Sequence, residues 1–122
     1  MINYTQVKKL LQNDFQTTVA KYQIIKAARM YRHEIAIAAL NSATSRALAA
    51  QAADELLNIS GISTSFVLYP DGDEVFISAR SLGDTNVQMI LEPLGGGGNT
   101  ATAGAQIPGA TVQEVAKQLT DV

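Results

Sequence analysis

The sequence predicts an α/β fold: a single domain in which a mixed β-sheet of about five strands is flanked by helices, with a glycine-rich loop at the sheet edge. Three observations lead to this prediction. Helical and strand periodicities alternate along the chain. Capping and turn signals separate these segments. The 122 residues, 47% of them hydrophobic and 16% charged, suffice for one core and are typical of a globular chain.

The first elements are helical. Asn3 and Gln6 have the spacing of a capping box, which predicts a helix start. Hydrophobic residues follow at helical spacing, namely Val7, Leu10, Leu11 and Phe15. A second helical stretch is expected to reach about Ala28. We expect residues 1–28 to form a helical connector, and residues 29–122 to form the domain itself.

A hairpin and a helix come next. A short strand over 30–32 and a buried strand over 35–40 flank a turn at His33. The following alanine-rich segment predicts a closely packed helix that begins at Ser42 or Thr44.

The second hairpin joins strands over 62–69 and 74–81, because Pro70-Asp71-Gly72-Asp73 supplies the dihedral angles of a turn. Alternation along the second strand puts Val75, Ile77 and Ala79 on one face, and Phe76, Ser78 and Arg80 on the other.

The last third of the chain contains two helices around a glycine run. Asp84 is the expected cap of the first helix. A strand is expected within 101–107, after the glycines. Thr111 and Glu114 form a second capping-box pair, which predicts the start of the final helix.

Composition excludes several kinds of site. A net charge of −2 argues against broad binding to duplex nucleic acid. The chain has no cysteine, which excludes a thiolate metal site, and its single histidine, His33, excludes most histidine-based metal sites built from this chain alone. Asp71, Asp73 and Glu74 lack the spacing of a calcium loop. No apolar run or leader pattern indicates a membrane span or a signal peptide.

The run Gly95-Gly96-Gly97-Gly98-Asn99 is the strongest functional signal. Each glycine in regular structure costs roughly 0.5–1 kcal/mol relative to alanine, so four together suggest backbone that approaches a ligand, such as a phosphate. A flexible linker is the alternative. Arg80 ends a strand and could bind phosphate, with Ser78 and Ser81 as further donors. On the bare sequence, a solvated strand-end arginine is the commoner explanation.

These segments together resemble one family. The pattern comprises Ile77-Ser78-Ala79-Arg80-Ser81-Leu82-Gly83-Asp84, Asn86-Val87-Gln88, the four glycines and Ala103-Gly104-Ala105-Gln106. It closely resembles the DHH-associated C-terminal domain of the DHH phosphoesterase family, in particular that of bacterial cyclic-di-AMP phosphodiesterases. The resemblance extends from about Tyr31 to Leu119, and residues 1–28 resemble the connector from a preceding DHH domain.

The resemblance implies that catalysis and substrate binding are carried out by different domains. In this family a DHH domain, absent from this chain, binds two manganese ions that activate water, while the C-terminal domain closes over the cleft and holds the substrate. Carried over by motif, the substrate-binding residues are Arg80, Ser81, Gly95, Gly96, Gly97, Gly98 and Asn99. Asn99 departs from the histidine that the family usually has there. No catalytic residue, metal ligand or cofactor is expected in this fragment.

The expected function is therefore substrate binding within a manganese-dependent cyclic-di-AMP phosphodiesterase, and we expect the fragment alone to be inactive. One alternative is the nucleic-acid-binding domain of a DHH-family exonuclease or of an oligoribonuclease/pAp phosphatase. Another is a structural or assembly module without a ligand. The expected partners are a cyclic dinucleotide or short oligonucleotide and the DHH domain of the parent chain, with homodimerisation left open. We expect a cytoplasmic domain without membrane contact, whose parent resembles membrane-anchored enzymes.

Overall fold

The structure of the protein, a computed structural model, describes residues 3–83 and 85–121, without the side chains of residues 10–13. The predicted cap Asp84 and the predicted apolar side chains of Leu10 and Leu11 thus lie outside the described residues.

The elements follow the predicted order, with helices at both ends and strands between. In chain order they are α1 (Tyr4–Lys26), β1 (Ala28–Tyr31), β2 (Ile35–Ala39), α2 (Arg46–Leu56), β3 (Thr64–Asp71), β4 (Glu74–Ser81), α3 (Val87–Leu91), a 3₁₀ turn (Glu92–Leu94), β5 (Gly97–Gly98), β6 (Thr102–Pro108) and α4 (Val112–Thr120).

These strands form a mixed six-stranded sheet in the order β1-β2-β3-β4-β6-β5. The pair β2–β3 is parallel, and the other pairs are antiparallel. The single α/β domain predicted from the sequence is confirmed. The additional strand is β5, two glycines that pair with β6 where only a loop was expected.

Helix α1 is one continuous helix of 23 residues, so the prediction of two helical stretches was wrong. Its start is as predicted: the Gln6 backbone N–H donates to Asn3 Oδ1 at 2.8 Å. Neither proline nor glycine occurs between Tyr4 and Lys26, so nothing interrupts the helix. Ile24, near its C-terminal end, is buried against α2. The division of the chain at residues 28 and 29 stays a prediction.

Side-chain caps fix the starts of the later helices. Helix α2 begins after Ser45, whose Oγ accepts from the Leu48 N–H at 3.0 Å, and not after Ser42 or Thr44. Helix α3 begins after Asn86, whose Oδ1 accepts from the Met89 N–H at 3.1 Å. The capping box predicted for α4, between Thr111 and Glu114, is confirmed.

The sheet has a core on each face. On one face α3 and α4 cover residues that include Phe66, Leu68, Val75, Ile77 and Ala79. On the other, α1 and α2 cover Val67 and Tyr69. Three alanines of α2 are fully buried, so this helix lies close to the sheet; they are Ala49, Ala52 and Ala53. The α2 face of the sheet also carries Phe76, Ser78 and Arg80, as the alternation predicts.

Candidate functional site

A cleft of about 440 Å³ opens on the α2 face of the sheet. Its sides are the start of α2 and the glycine run, and its floor is formed by β4, β6 and β5. Arg80 and the glycines Gly95–Gly98 line this same cleft, as expected from the sequence. Ser81 and Asn99 are not among its lining residues. Whether any of these residues binds a substrate stays a prediction.

The strand register leaves the floor of the cleft almost without side chains. Ser78 of β4 lies opposite Gly104 of β6, and Gly104 lies opposite Gly97 of β5. Residues directly opposite each other in antiparallel strands point to the same face. One hydroxymethyl group and two hydrogens therefore form a row across three strands, and a ligand placed there would meet backbone.

Three of the four glycines are required by the protein's own backbone. Gly95 ends the 3₁₀ turn with a φ of 88°, which disfavours other residues. A Cβ on Gly96 would lie 2.5 Å from the Gly104 carbonyl oxygen, and one on Gly98 would collide with the Thr102 carbonyl oxygen. Gly97 has neither constraint, and a Cβ there would meet nothing within 4 Å. The expectation that ligand approach explains all four glycines was therefore wrong.

Most backbone N–H groups of this run have partners within the protein. The Gly95 N–H donates to Glu92 O at 3.0 Å, and the Gly96 N–H donates to Leu91 O at 2.8 Å. The Asn99 N–H donates to Thr102 O at 2.7 Å. An anion site built from several free glycine N–H groups does not fit this geometry. The open row at Gly97 and the Arg80 side chain remain the features suited to a phosphate.

Arg80 is held in place by two hydrogen bonds. Its Nε donates to Asp54 Oδ1 of α2 at 2.9 Å, and its Nη1 donates to Ala79 O at 2.8 Å. The Arg80 side chain is 16% exposed and that of Asp54 is 64% exposed. Two anchored N–H groups leave other guanidinium N–H groups for a ligand in the cleft. Asp54 was missed as a site residue because it lies 26 positions away in the chain.

Two of the predicted site residues, Ser81 and Asn99, hydrogen-bond within turns. The buried Ser81 hydroxyl accepts from the Gly83 N–H at 3.0 Å and from the Thr85 N–H at 3.4 Å. Asn99 Oδ1 accepts from the backbone N–H groups of Ala101 at 3.0 Å and Thr102 at 2.9 Å. A carboxamide oxygen used in this way shapes the β5–β6 turn.

No metal centre is evident in the part of the chain that the structure describes. Within residues 3–83 and 85–121, no group of three or more His, Cys, Asp or Glu side chains could hold a metal ion. His33 lies in the turn after β1, at the edge of the sheet opposite to β5. The described His, Asp and Glu side chains therefore do not fit a manganese site, and no catalytic step is assigned to a metal on this chain.

The far end of the cleft contains four residues that were not predicted to be site residues. They are Arg46, Tyr69, Phe76 and Gln106. The rings of Tyr69 and Phe76 are stacked, with centroids 5.5 Å apart and planes inclined by 15°. Burial raises the pKa of the Tyr69 hydroxyl, and the nearby Arg46 guanidinium opposes part of that rise. The stack could not be foreseen without the register that puts Tyr69 opposite Phe76.

The fold is a single α/β domain with an open cleft on one face of its mixed sheet. The chain belongs to the DHHA1 domain family, whose family model matches residues 33–122. In the described part of the chain, no helix is long and apolar enough to cross a membrane.

Similar proteins include longer enzymes. The chain is 47% identical over 116 residues to the cyclic-di-AMP phosphodiesterase GdpP of Geobacillus thermodenitrificans, and 38% identical over 116 residues to the cyclic-di-AMP phosphodiesterase PdeA of Listeria monocytogenes. Each alignment covers 93% of this chain and 18% of the relative, so the chain spans under a fifth of their length.

A solved structure shares the fold. An exopolyphosphatase-related protein from Bacteroides fragilis superposes with a TM-score of 0.73 at 17% identity, over 86% of this chain and 34% of that protein. At this identity the likeness concerns the fold alone.

Proposed function

We propose that this chain is the substrate-binding domain of a phosphodiesterase that hydrolyses cyclic-di-AMP. The observation that carries the proposal is the cleft in which an anchored arginine, Arg80, faces a floor without side chains at Gly97. The two relatives named as cyclic-di-AMP phosphodiesterases, which align over nearly the whole chain, support this choice of substrate.

The proposed role is to bind and orient, because the described residues contain neither a metal cluster nor a nucleophile–base pair in the cleft. A phosphate would lie on the row Ser78–Gly104–Gly97, where backbone allows close approach. Arg80 would donate charge-assisted hydrogen bonds to its oxygens, with the guanidinium already ordered by Asp54. In the longer enzyme, manganese in a DHH domain would supply the activated water.

Calorimetric titration tests this function. The 122-residue chain is titrated with cyclic-di-AMP, with its linear product and with a single-stranded oligoadenylate, and Arg80→Ala is compared with Arg29→Ala. Arg29 is an exposed arginine on β1, at the opposite edge of the sheet, and serves as the matched control.

We expect Arg80→Ala to weaken dinucleotide binding by about 10- to 100-fold, because a hydrogen bond to a charged group is lost. Arg29→Ala should change nothing. Equal losses in both variants, or no binding by the wild-type chain, would contradict the proposal. Tighter binding of the oligonucleotide would favour a nucleic-acid substrate instead.

A further inference from the structure

The end of the cleft away from Arg80 is built differently from its floor. Phe76 and Arg80 lie on the same face of β4, four residues apart, which separates their Cα atoms by about 13 Å. Ser78 lies between them, at the row without side chains. The cleft thus runs from a cationic end at Arg80 to an aromatic end at Phe76.

Phe76 offers a rigid aromatic surface at that end. It is half-buried, it lines the cleft, and its ring is stacked on that of Tyr69. Tyr69 is itself only 3% exposed, so it fixes the Phe76 ring from behind. A planar ring held in this way suits a further stacked planar group, and base–aromatic stacking is a general means of holding nucleotides.

Arg46 occupies an unusual position for a cation. It is the first residue of α2, where the helix dipole disfavours positive charge. No ion pair of Arg46 is found within residues 3–83 and 85–121, and its side chain lines the same end of the cleft as Phe76. The charge of Arg46 also opposes part of the rise in the pKa of the Tyr69 hydroxyl, in agreement with the place of both residues in the lining of this cleft. A guanidinium at the rim of the cleft can donate hydrogen bonds to the edge of a base that stacks on Phe76.

We infer that Phe76 and Arg46 form a nucleobase subsite, which holds one base of the substrate while its phosphate lies between Ser78 and Arg80. This inference rests on the proposed function. It adds that the Phe76–Arg46 subsite would make the cleft bind a nucleotide more tightly than other phosphate esters. The base would stack on the side of the Phe76 ring that faces away from Tyr69, and Arg46 would donate to the edge of the base.

The test compares two probes that differ only by the base. Adenosine 5′-monophosphate and ribose 5-phosphate are titrated into the wild-type chain and into Phe76→Leu, Phe76→Trp and Arg46→Gln, with thermal unfolding recorded for each variant. The wild type should bind the nucleotide about 5- to 100-fold more tightly than the sugar phosphate. Phe76→Leu should abolish most of this ratio with the sugar phosphate affinity unchanged, whereas Phe76→Trp should retain it.

Arg46→Gln controls for a folding artefact, because Arg46 is exposed at the start of α2 and its replacement should not lower the unfolding temperature. It should reduce the same ratio. A wild-type ratio near one, with binding of both probes still dependent on Arg80, would overturn the subsite and leave the proposed function standing. A ratio that survives both Phe76→Leu and Arg46→Gln would also overturn the subsite. Failure of the wild type to bind either probe while it binds cyclic-di-AMP would overturn the subsite alone. Failure to bind cyclic-di-AMP as well would overturn both proposals.

Discussion

Substitutions of neighbouring glycines separate packing from binding in the cleft. In Gly96→Ala the new Cβ would lie 2.5 Å from the Gly104 carbonyl oxygen and 2.7 Å from the Ala105 Cβ. Neither atom belongs to a flexible side-chain end, so β5 must move away from β6. In Gly97→Ala the new Cβ meets nothing within 4 Å, and the backbone is outside the left-handed region.

The two variants should therefore differ in stability. Overpacking of this kind costs about 1–3 kcal/mol, which is the expected loss for Gly96→Ala. Gly97→Ala should be neutral or more stable by up to about 1 kcal/mol, because alanine reduces the entropy of the unfolded chain. Urea unfolding followed by circular dichroism, with the midpoint and slope fitted for each variant, measures the difference.

Binding of the dinucleotide should depend on the space above Gly97. Gly97 shares its face with Gly104 and Ser78, so Gly97→Val would place a side chain on the proposed phosphate row. We expect cyclic-di-AMP affinity to fall by about 5- to 100-fold with the fold intact. This range follows if the overlap of the valine side chain with the phosphate costs as much free energy as overpacking does in a protein core. Unchanged affinity in Gly97→Val would refute the role of this floor. Equal stability of Gly96→Ala and the wild type would refute the packing explanation of the glycine run.

Three further substitutions test individual contacts. Asp54→Asn should weaken dinucleotide binding by loosening Arg80, while the free energy of unfolding changes by no more than about 1 kcal/mol because the carboxylate is largely exposed. The control is Asp73→Asn, in the exposed β3–β4 turn. Equal titration curves for the two variants would contradict the role of Asp54. Asn99→Ala should lower the free energy of unfolding by about 1 kcal/mol, since the side-chain oxygen accepts two backbone hydrogen bonds. Asn99→Asp keeps such an oxygen and should largely restore the stability. Equal melting temperatures of the two variants would count against the role of this oxygen in the turn. His33→Gly should raise stability by about 1 kcal/mol, because His33 has a φ of 71°; a lower melting temperature would show that the imidazole makes compensating contacts.

Features determined by short stretches of sequence were predictable. The capping boxes at Asn3 and Thr111, and the hairpin turn around Gly72, depend on residues at most a few positions apart. Helix α2 was placed a few residues too early because Ser42, Thr44 and Ser45 all have hydroxyl groups that could cap it. In the structure the Ser45 hydroxyl is the one that caps the helix.

The details of the cleft depend on strand register and on distant contacts. Arg80 and the glycine run could be assigned to one site through the family resemblance. The reasons for Gly96 and Gly98 emerge only when β6 is placed beside them. The ion pair between Asp54 and Arg80 likewise needs α2 to be docked on the sheet.

Nuclear magnetic resonance mapping on the isotope-labelled chain tests directly whether the cleft at Arg80 and Gly97 binds cyclic-di-AMP. We expect saturable shifts that cluster at Ser78, Gly97, Gly104 and the Arg80 Nε–H, with the β1–β2 turn at His33 unaffected. Shifts confined to α1 or to the turn at His33, or no shifts at saturating nucleotide, would contradict this expectation.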